Sequence, residues 1–409
     1  MKILSQIIFV AVLLVFAAPK TGFANRSDLA VDAETGTVLY QKNAGISRYP
    51  ASLTKLMTLY ITFAALKDGV ANMDDKLPVS EHAAKQKKSK MWLKAGTYIT
   101  LEDAILSVIL HSANDAATVI AEGIGGSEEQ FVMMMNEKAR ELGMTKTNFK
   151  NANGLYDDDQ VSTAKDIGTL ALAIMRNFPE YYPFFAMKEF TFNGRTYRSN
   201  NSLLHYRDDI EGMKTGFVSK SGYHLVTVIR KGQNKIISVV MGRKTPRQRD
   251  QAAIIIAGKA FSELNREKQA AENGKKIKER EKLSVADIGL SRTDAYMISL
   301  NLHNAAVASQ TMSNGGATRI YAENGDFSVQ VGTYKSRKTA LRNALKTKSL
   351  LFAERSEGGD ARVGQIIRKN KKYYTAQITH LNEETAVNAC RELQESETSC
   401  IVIPPKNRQ

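Results

Sequence analysis

Apolar positions recur along this chain with two periods, and the change from one to the other marks out its elements. Short apolar or alternating runs at Leu29–Val31, Thr37–Tyr40, His224–Arg230 and Lys235–Met241 read as strands. Four longer stretches, Leu53–Lys67, Leu101–Glu122, Glu128–Leu142 and Ala164–Asn177, repeat their apolar residues every three or four positions and read as helices. Strands therefore bracket a helical middle between Leu29 and about Glu263. That order predicts an α+β domain in which the first and last strands share one antiparallel sheet and the helices pack against it. From Asn265 to Lys282 the chain is a dense mixture of Lys, Arg, Glu and Ala with little apolar content, which reads as a solvated helix or linker and marks a domain boundary. Residues 283–324 show no clear period and are grouped with that linker.

The carboxyl end repeats itself. Phe327–Tyr334 overlays Tyr374–Leu381, each copy runs into a helical pattern (Lys338–Leu351, then Glu383–Glu395), and each is followed by a strand-like segment (Arg362–Arg368, then Cys400–Ile403). The resulting order, β-α-β-β-α-β, folds into a four-stranded antiparallel sheet with both helices on one face. Strand alternation then points Val329 and Val331 toward the helices and Ser328, Gln330 and Gly332 outward. By the repeat Thr375, Gln377 and Thr379 also face outward, giving an extended polar surface.

Composition agrees with folded domains: 409 residues, 43% hydrophobic and 24% charged, with only 8 Pro. At roughly 150 residues per domain the length suits a larger domain plus an accessory module. Met1-Lys2, the apolar run Ile3–Ala18 and the small residues Gly22 and Ala24 have the layout of a secretory signal, with cleavage expected after Ala24. Loss of Lys2 and Lys20 would lower the formal charge from +15 to +13, a balance that favours polyanions. Export argues against nucleic acid among them and leaves anionic lipid or acidic wall polymers. The two cysteines, Cys390 and Cys400, either pair in an oxidising compartment or remain free buried thiols, and their spacing does not choose between these.

Ser52 and Lys55 lie three apart at the start of a predicted helix, just after Pro50-Ala51, so they share one face about a turn apart. A serine hydroxyl becomes nucleophilic when a neighbouring base takes its proton, and a lysine serves only if burial or a second cation keeps it neutral. The spacing alone is weak evidence, since Ser162 and Lys165 share it. Two further segments give it meaning. In Ser112-Ala113-Asn114 a second hydroxyl can relay a proton to a leaving amine and an amide can hold a backbone carbonyl; in Lys214-Thr215-Gly216 a lysine adds positive potential and a glycine lets a strand approach a substrate. Lys20-Thr21-Gly22, Ser199-Asn200-Asn201 and Ser299-Leu300-Asn301 imitate these patterns in other settings. The six His show no zinc-ligand spacing, Asp157-Asp158-Asp159 reads as a solvated turn, and Met91 and Trp92 read as core or cleft wall, so no metal or cofactor is expected.

With these segments in order, together with Tyr49–Met57, Asn151–Leu155, Gly212–Gly216 and Val239–Gly242, the region Asp28–Phe261 resembles the serine DD-carboxypeptidases among the low-molecular-mass penicillin-binding proteins. The resemblance implies a penicillin-binding-protein/β-lactamase-like fold, an antiparallel sheet with a helical subdomain. It also implies acylation of Ser52 by the penultimate D-alanine of a peptidoglycan stem peptide, release of terminal D-alanine, and hydrolysis of the acyl-enzyme. By that pattern Lys55 is the proton acceptor, Ser112 and Lys214 form the proton path, Asn114 positions substrate, and the backbone N–H groups of Ser52 and Phe217 form an oxyanion hole. Thr215 and Arg249 would receive the terminal carboxylate, although Arg249 sits in a basic cluster, Arg243-Lys244-Arg247-Arg249, of the kind that is more often a solvated face. Phe217 departs from members that carry a polar residue there, and neither a β-sandwich nor an amphipathic anchor is recognisable after Phe261.

The terminal repeat looks like a SPOR domain, through Phe327–Gly332, Ala386–Cys390 and Cys400–Ile403. That likeness implies binding to glycan strands stripped of stem peptides, with Ser328, Gln330, Thr375 and Gln377 as candidate contacts. The expected organisation is a signal peptide at 1–24, a catalytic domain at 25–263, a charged linker at 264–324 and a SPOR domain at 325–405. The expected partners are stem peptides, denuded glycan, β-lactam antibiotics as covalent inhibitors, and divisome proteins, in the periplasm of a Gram-negative bacterium and enriched at the septum. A DD-endopeptidase that cuts cross-links is the nearest alternative. A β-lactamase needs a deacylating Glu-Asn loop, for which Glu189–Asn193 lies too close to Lys214, and a non-catalytic wall-binding scaffold conflicts with the intact motifs.

Overall fold

The alternation at Ser27–Asp32 (β1) and Val38–Lys42 (β2) produces a hairpin, closed by the Asp32 carboxylate, which accepts the N–H groups of Glu34 and Thr35. The computed structural model describes residues 26–403 except 277–278, 286–288, 291–293, 296, 300, 303–304, 306–326, 353–359, 369–370, 382–384, 387–388, 391–392 and 394–399. The expected signal peptide therefore lies outside the described residues. The chain divides into two compact units, Met1–Gly289 and Leu290–Gln409.

In the first unit a 3-10 turn at Ala51–Thr54 runs into α1 (Lys55–Lys67), which is buried along most of its length. A small hairpin, β3 (Lys76–Pro78) with β4 (Tyr98–Thr100), precedes α2 (Leu101–Leu106), α3 (Asn114–Gly125), α4 (Glu128–Glu141) and α5 (Ala164–Asn177). A second hairpin, β5 (Glu189–Phe192) with β6 (Arg195–Arg198), leads to β7 (Ile210–Val218), β8 (Gly222–Lys231), β9 (Asn234–Arg243) and α6 (Pro246–Glu272). The main sheet has the order β2-β1-β9-β8-β7, antiparallel throughout, so the first strand pairs with the last as the α+β pattern requires.

Both faces of that sheet are covered. Ile236 and Val240 of β9 meet a stripe on α6 formed by Ala253, Ile256, Ala257, Ala260, Phe261 and Leu264, spaced three and four apart as one helix face demands. By strand alternation Ile237 and Val239 point the other way, toward the side on which α5 packs.

Three local features differ from the periodic reading. The expected helix Leu101–Glu122 is broken: a π-helical turn spans Ser107–His111, and Ser112 takes a left-handed conformation (φ 59°) before α3 begins at Asn114. Apolar residues keep their spacing on both sides, so periodicity is blind to this break. β7 goes unrecognised because Lys214, Thr215 and Gly216 interrupt its apolar run, although all three are buried. The segment 264–324, expected as a charged linker, belongs in its first part to this unit. There α6 continues to Glu272, the Val38 N–H donates to the Glu281 carbonyl at 2.9 Å, the Leu283 N–H donates to the Gly36 carbonyl at 2.8 Å, and Arg280 pairs with Glu263 and Glu267. Charge density misleads here because the charges pair with one another along α6 and anchor the returning segment.

The second unit contains β10 (Phe327–Tyr334), α7 (Arg337–Phe352), β11 (Asp360–Arg368), β12 (Lys371–Leu381) and β13 (Ile401–Ile403) in the antiparallel order β11-β12-β10-β13. Residues 385–386, 389–390 and 393 are helical, which completes β-α-β-β-α-β. Val329, Val331, Ala376 and Ile378 join Ala344, Ala386, Ala389 and Leu393 in its core. Cys390 and Cys400 form a disulfide that ties this last helical segment to the approach of β13. Ser328, Gln330 and Gln377 are half-buried, but Thr375, expected on the exposed face, is fully buried. Alternation assigns a residue to one side of a sheet and does not say whether that side is covered at that point.

Asp28 of β1 and Arg243 at the end of β9 form an ion pair with side chains 8% and 5% exposed. Removing one partner strands a buried charge. We expect Asp28→Ala to lower the unfolding free energy by about 3–5 kcal/mol, and a double change with Arg243→Met to cost less than the two single changes together. Urea unfolding followed by the fluorescence of Trp92, the single tryptophan and a residue of this unit, measures both.

Candidate active site

The turn that carries Ser52 is compact: the Leu53 N–H donates to the Pro50 carbonyl at 3.2 Å, and Lys55 begins α1 directly behind it. Lys55 Nζ lies 3.2 Å from Ser52 Oγ and 2.7 Å from Asn114 Oδ1, and it also contacts the Asn153 carbonyl. Two of these partners can only accept. A neutral amine satisfies all three by donating its two hydrogens to Asn114 and Asn153 and turning its lone pair to the Ser52 hydroxyl. Burial, which is complete, pushes the Lys55 pKa well below its usual range, and the Lys214 charge pushes it further against the opposing Asp115. The arrangement can therefore withdraw a proton from Ser52.

Ser112, held outward by its left-handed backbone, has a buried hydroxyl with no protein partner among the described residues. Asn114 is fully engaged: besides accepting from Lys55, its amide donates to the carbonyls of Lys87 (2.9 Å) and Lys88 (3.1 Å). The role expected for it, holding a substrate carbonyl, would require one of those bonds to open. Next to it, the buried Asp115 carboxylate accepts the N–H groups of Met91 (3.0 Å) and Leu93 (3.2 Å), fixing the loop that forms the opposite wall.

β7 supplies the other side. Lys214 is 1% exposed, and burial together with the nearby Arg249 charge lowers its pKa to about 7. Arg249, on the first turn of α6, is buried and held by Asp250 at 2.7 Å. Of its basic cluster, Arg243 and Arg249 are buried and Lys244 and Arg247 are exposed, so the cluster is not a single solvated face. A Cβ at Gly216 would lie 3.2 Å from the Pro50 carbonyl oxygen and 3.3 Å from the Ser52 nitrogen, which is how closely the strand passes the serine turn. Phe217 is half exposed, with its ring 4.3 Å from that of Tyr223. Ser52, Ser112, Asn114, Thr215, Gly216, Phe217 and Arg249 all line one cleft of about 660 Å³, and Lys55 and Lys214 are buried.

Residues with no role assigned from sequence also hold the site. Gly154 (φ +80°) packs so tightly on the serine turn that a Cβ would lie 2.1 Å from the Ala51 oxygen, and its neighbour Asn153 provides the carbonyl for Lys55. His224, fully buried, accepts the Gly242 N–H on Nδ1 at 3.0 Å, so its proton resides on Nε2 and is donated to the Tyr49 carbonyl at 3.1 Å. It ties the segment entering the serine turn to the sheet. A lone histidine inside a strand gives no sequence signal of such a tie.

The imitations separate from the site. Ser162 is buried against Thr147 and Lys165 pairs with Glu281. Asn200, by contrast, lines the cleft and donates to the His111 carbonyl at 3.0 Å. Lys20–Gly22 and Leu300 lie outside the described residues. Glu189 is exposed at the start of a hairpin and does not line the cleft. Met91 is core as expected, whereas Trp92 is 60% exposed, because the clamp on its two neighbours turns it outward.

An antiparallel sheet flanked by helices, with a serine-lysine pair at the head of a buried helix, defines the class of the serine acyl-transfer enzymes built on the penicillin-binding-protein fold. The chain belongs to the D-alanyl-D-alanine carboxypeptidase family, whose model matches residues 15–245; the SPOR domain model matches residues 323–404. It is 35% identical over 243 residues to D-alanyl-D-alanine carboxypeptidase DacF of Bacillus subtilis, covering 58% of this chain and 62% of that one. It is 37% identical over 256 residues to D-alanyl-D-alanine carboxypeptidase DacC of Escherichia coli, covering 60% and 64%. The chain thus spans about three-fifths of the length of these two relatives. Penicillin binding protein 5 from Haemophilus influenzae superposes with a TM-score of 0.57 at 35% identity, over 60% of this chain and 72% of that one.

His224 yields a pH prediction. Burial lowers its pKa from 6.5 to about 4, so the unfolded chain binds the extra proton between those values and stability falls as pH drops from 6.5 toward 4. At 1.36 kcal/mol per pKa unit the loss due to this residue is about 3 kcal/mol. Urea titrations at pH 4.5 and 7 should show a smaller pH dependence in His224→Asn than in the unaltered chain.

Proposed function

We propose that the chain is a serine DD-carboxypeptidase that removes the terminal D-alanine of peptidoglycan stem pentapeptides. The observation that carries this reading is the fully enclosed Lys55 amine, which lies 3.2 Å from Ser52 Oγ and is held there by Asn114 and the Asn153 carbonyl. Ser52 Oγ attacks the carbonyl of the penultimate D-alanine as its proton passes to Lys55. The C–N bond breaks, D-alanine leaves as the free amine after receiving a proton through Ser112, and Ser52 carries an ester. Water, deprotonated by the same lysine, attacks the ester and restores Ser52.

The N–H groups of Ser52 and Phe217 stabilise the oxyanion, and Thr215 and Arg249 hold the terminal carboxylate beside the charged Lys214. β-Lactams acylate the same serine. The SPOR domain binds denuded glycan, with Ser328, Gln330 and Gln377 on its polar face, and concentrates the enzyme at the septum in the periplasm of a Gram-negative bacterium, where divisome proteins are its neighbours.

Purified protein should release D-alanine from a stem pentapeptide, and Ser52→Ala should lower the rate at least about 10³-fold with folding intact. No release by the unaltered chain, or release that survives Ser52→Ala, would overturn the reading. With cross-linked peptidoglycan, mass spectrometry should find loss of terminal D-alanine ahead of cleaved cross-links; the reverse order would identify an endopeptidase.

The two lysines set opposite limbs of the pH profile. Lys55 must be neutral, so acylation slows as pH falls; Lys214 must be charged, so acylation slows as pH rises through about 7. The rate of labelling by a fluorescent penicillin should be bell-shaped, and Lys214→Arg, which keeps the charge, should move the alkaline limb upward.

A further inference from the structure

Exposed large apolar side chains are few in the described residues, and several gather around the cleft: Tyr156 and Phe217 line it, and Trp92 stands just beyond Lys88, which also lines it. The position of Trp92 is constructed. Met91 and Leu93 are buried with their N–H groups on the Asp115 carboxylate, so the residue between them must face outward, and it does so with φ 65°, a conformation unfavourable for a bulky side chain.

Cations surround the ring. Lys90 Nζ lies 4.7 Å from its centroid and is fixed by donating to the Ala84 carbonyl at 2.7 Å, and Lys88 Nζ lies 5.8 Å away. Lys87, Lys88 and Lys94 are exposed. The same loop is bolted to the catalytic helix, since Asn114 donates to the Lys87 and Lys88 carbonyls and Ser89 Oγ donates to the His111 carbonyl at 2.9 Å. An exposed aromatic ring on a hydrogen-bonded loop, next to a lysine that lines the cleft, suits a ligand that is a pyranose ring at one end and an anionic peptide at the other.

We propose that Trp92, with Lys88, forms a saccharide subsite that stacks the sugar to which the stem peptide is attached, while Lys88 faces a carboxylate of that peptide. This rests on the proposed function and adds to it that the substrate is recognised with its sugar. A lipid surface would also accept a tryptophan among lysines, but the ties of this loop to Asn114 and Asp115 and the place of Lys88 in the cleft favour the substrate.

The test compares D-alanine release by the full chain from a free stem pentapeptide and from the same peptide on its disaccharide. The unaltered chain should prefer the disaccharide substrate in kcat/KM by about twofold to tenfold, taking a ring-stacking contact between two aromatic side chains as the measure. Trp92→Ala should abolish the preference without changing the free peptide, and Trp92→Phe should restore part of it. Equal turnover of both substrates by the unaltered chain, or an equal loss on both in Trp92→Ala, overturns the subsite.

A second arm needs no catalysis. Because Trp92 is the single tryptophan, its emission in the Ser52→Ala full chain reports this loop alone, and the disaccharide-pentapeptide should change it saturably. If neither substrate is turned over, the functional reading fails and this arm decides the subsite, which an unchanged spectrum overturns. A blue shift on phosphatidylglycerol vesicles with no response to the disaccharide-pentapeptide would make the loop a membrane surface and overturn the subsite as well.

Discussion

The structure around the cleft depends on one electrostatic constraint, an amine enclosed inside the protein beside a second cation. A buried ammonium next to another cation is costly, and burial together with the Lys214 charge holds the Lys55 pKa well below its usual range. Asn114 and the Asn153 carbonyl take its two hydrogens, and Ser52 is the remaining partner. The break at Ser112, which looks like a defect in a helix, places Asn114 at the head of α3 where it can reach both Lys55 and the wall loop.

The cations form a graded series. Arg249 is held by Asp250 and lowers Lys214; Lys214 in turn lowers Lys55. Burial and a neighbouring cation lower both lysines, Lys214 to about 7. A site that must both attract a carboxylate and supply a base can do so with three residues of nominally the same charge, because their surroundings differ.

Much of this was legible in the sequence, for reasons that differ by residue. Strand and helix periods gave the α+β order and the terminal β-α-β-β-α-β unit, because burial on a sheet or helix face leaves a period of two or 3.6. The three short segments gave Ser52, Lys55, Ser112, Asn114 and Lys214, which the fold gathers at one cleft. The break at Ser112 was hidden because apolar spacing continues through it. β7 was hidden because its buried residues are polar, His224 because its partners are backbone atoms far away in sequence, and the outward turn of Trp92 because Asp115 lies more than twenty positions on. Charge density left helix or linker open for 265–282, where the helix continues to Glu272 and arginine and glutamate pair within the unit.

The sheet order carries a consequence in time. β1 pairs with β9, bringing Leu29 opposite Val239, so the central sheet cannot close until almost the whole unit has emerged. Such long-range pairing slows folding, since chain entropy is lost before the contacts that compensate it form. Ser52 and Lys55 adjoin in any helical turn, but the burial that lowers the Lys55 pKa, and the Lys214 charge that lowers it further, come only with the closed fold. The unfinished chain therefore carries a serine and an ordinary charged lysine. The shift of Lys55 is complete only once the sheet has closed around it.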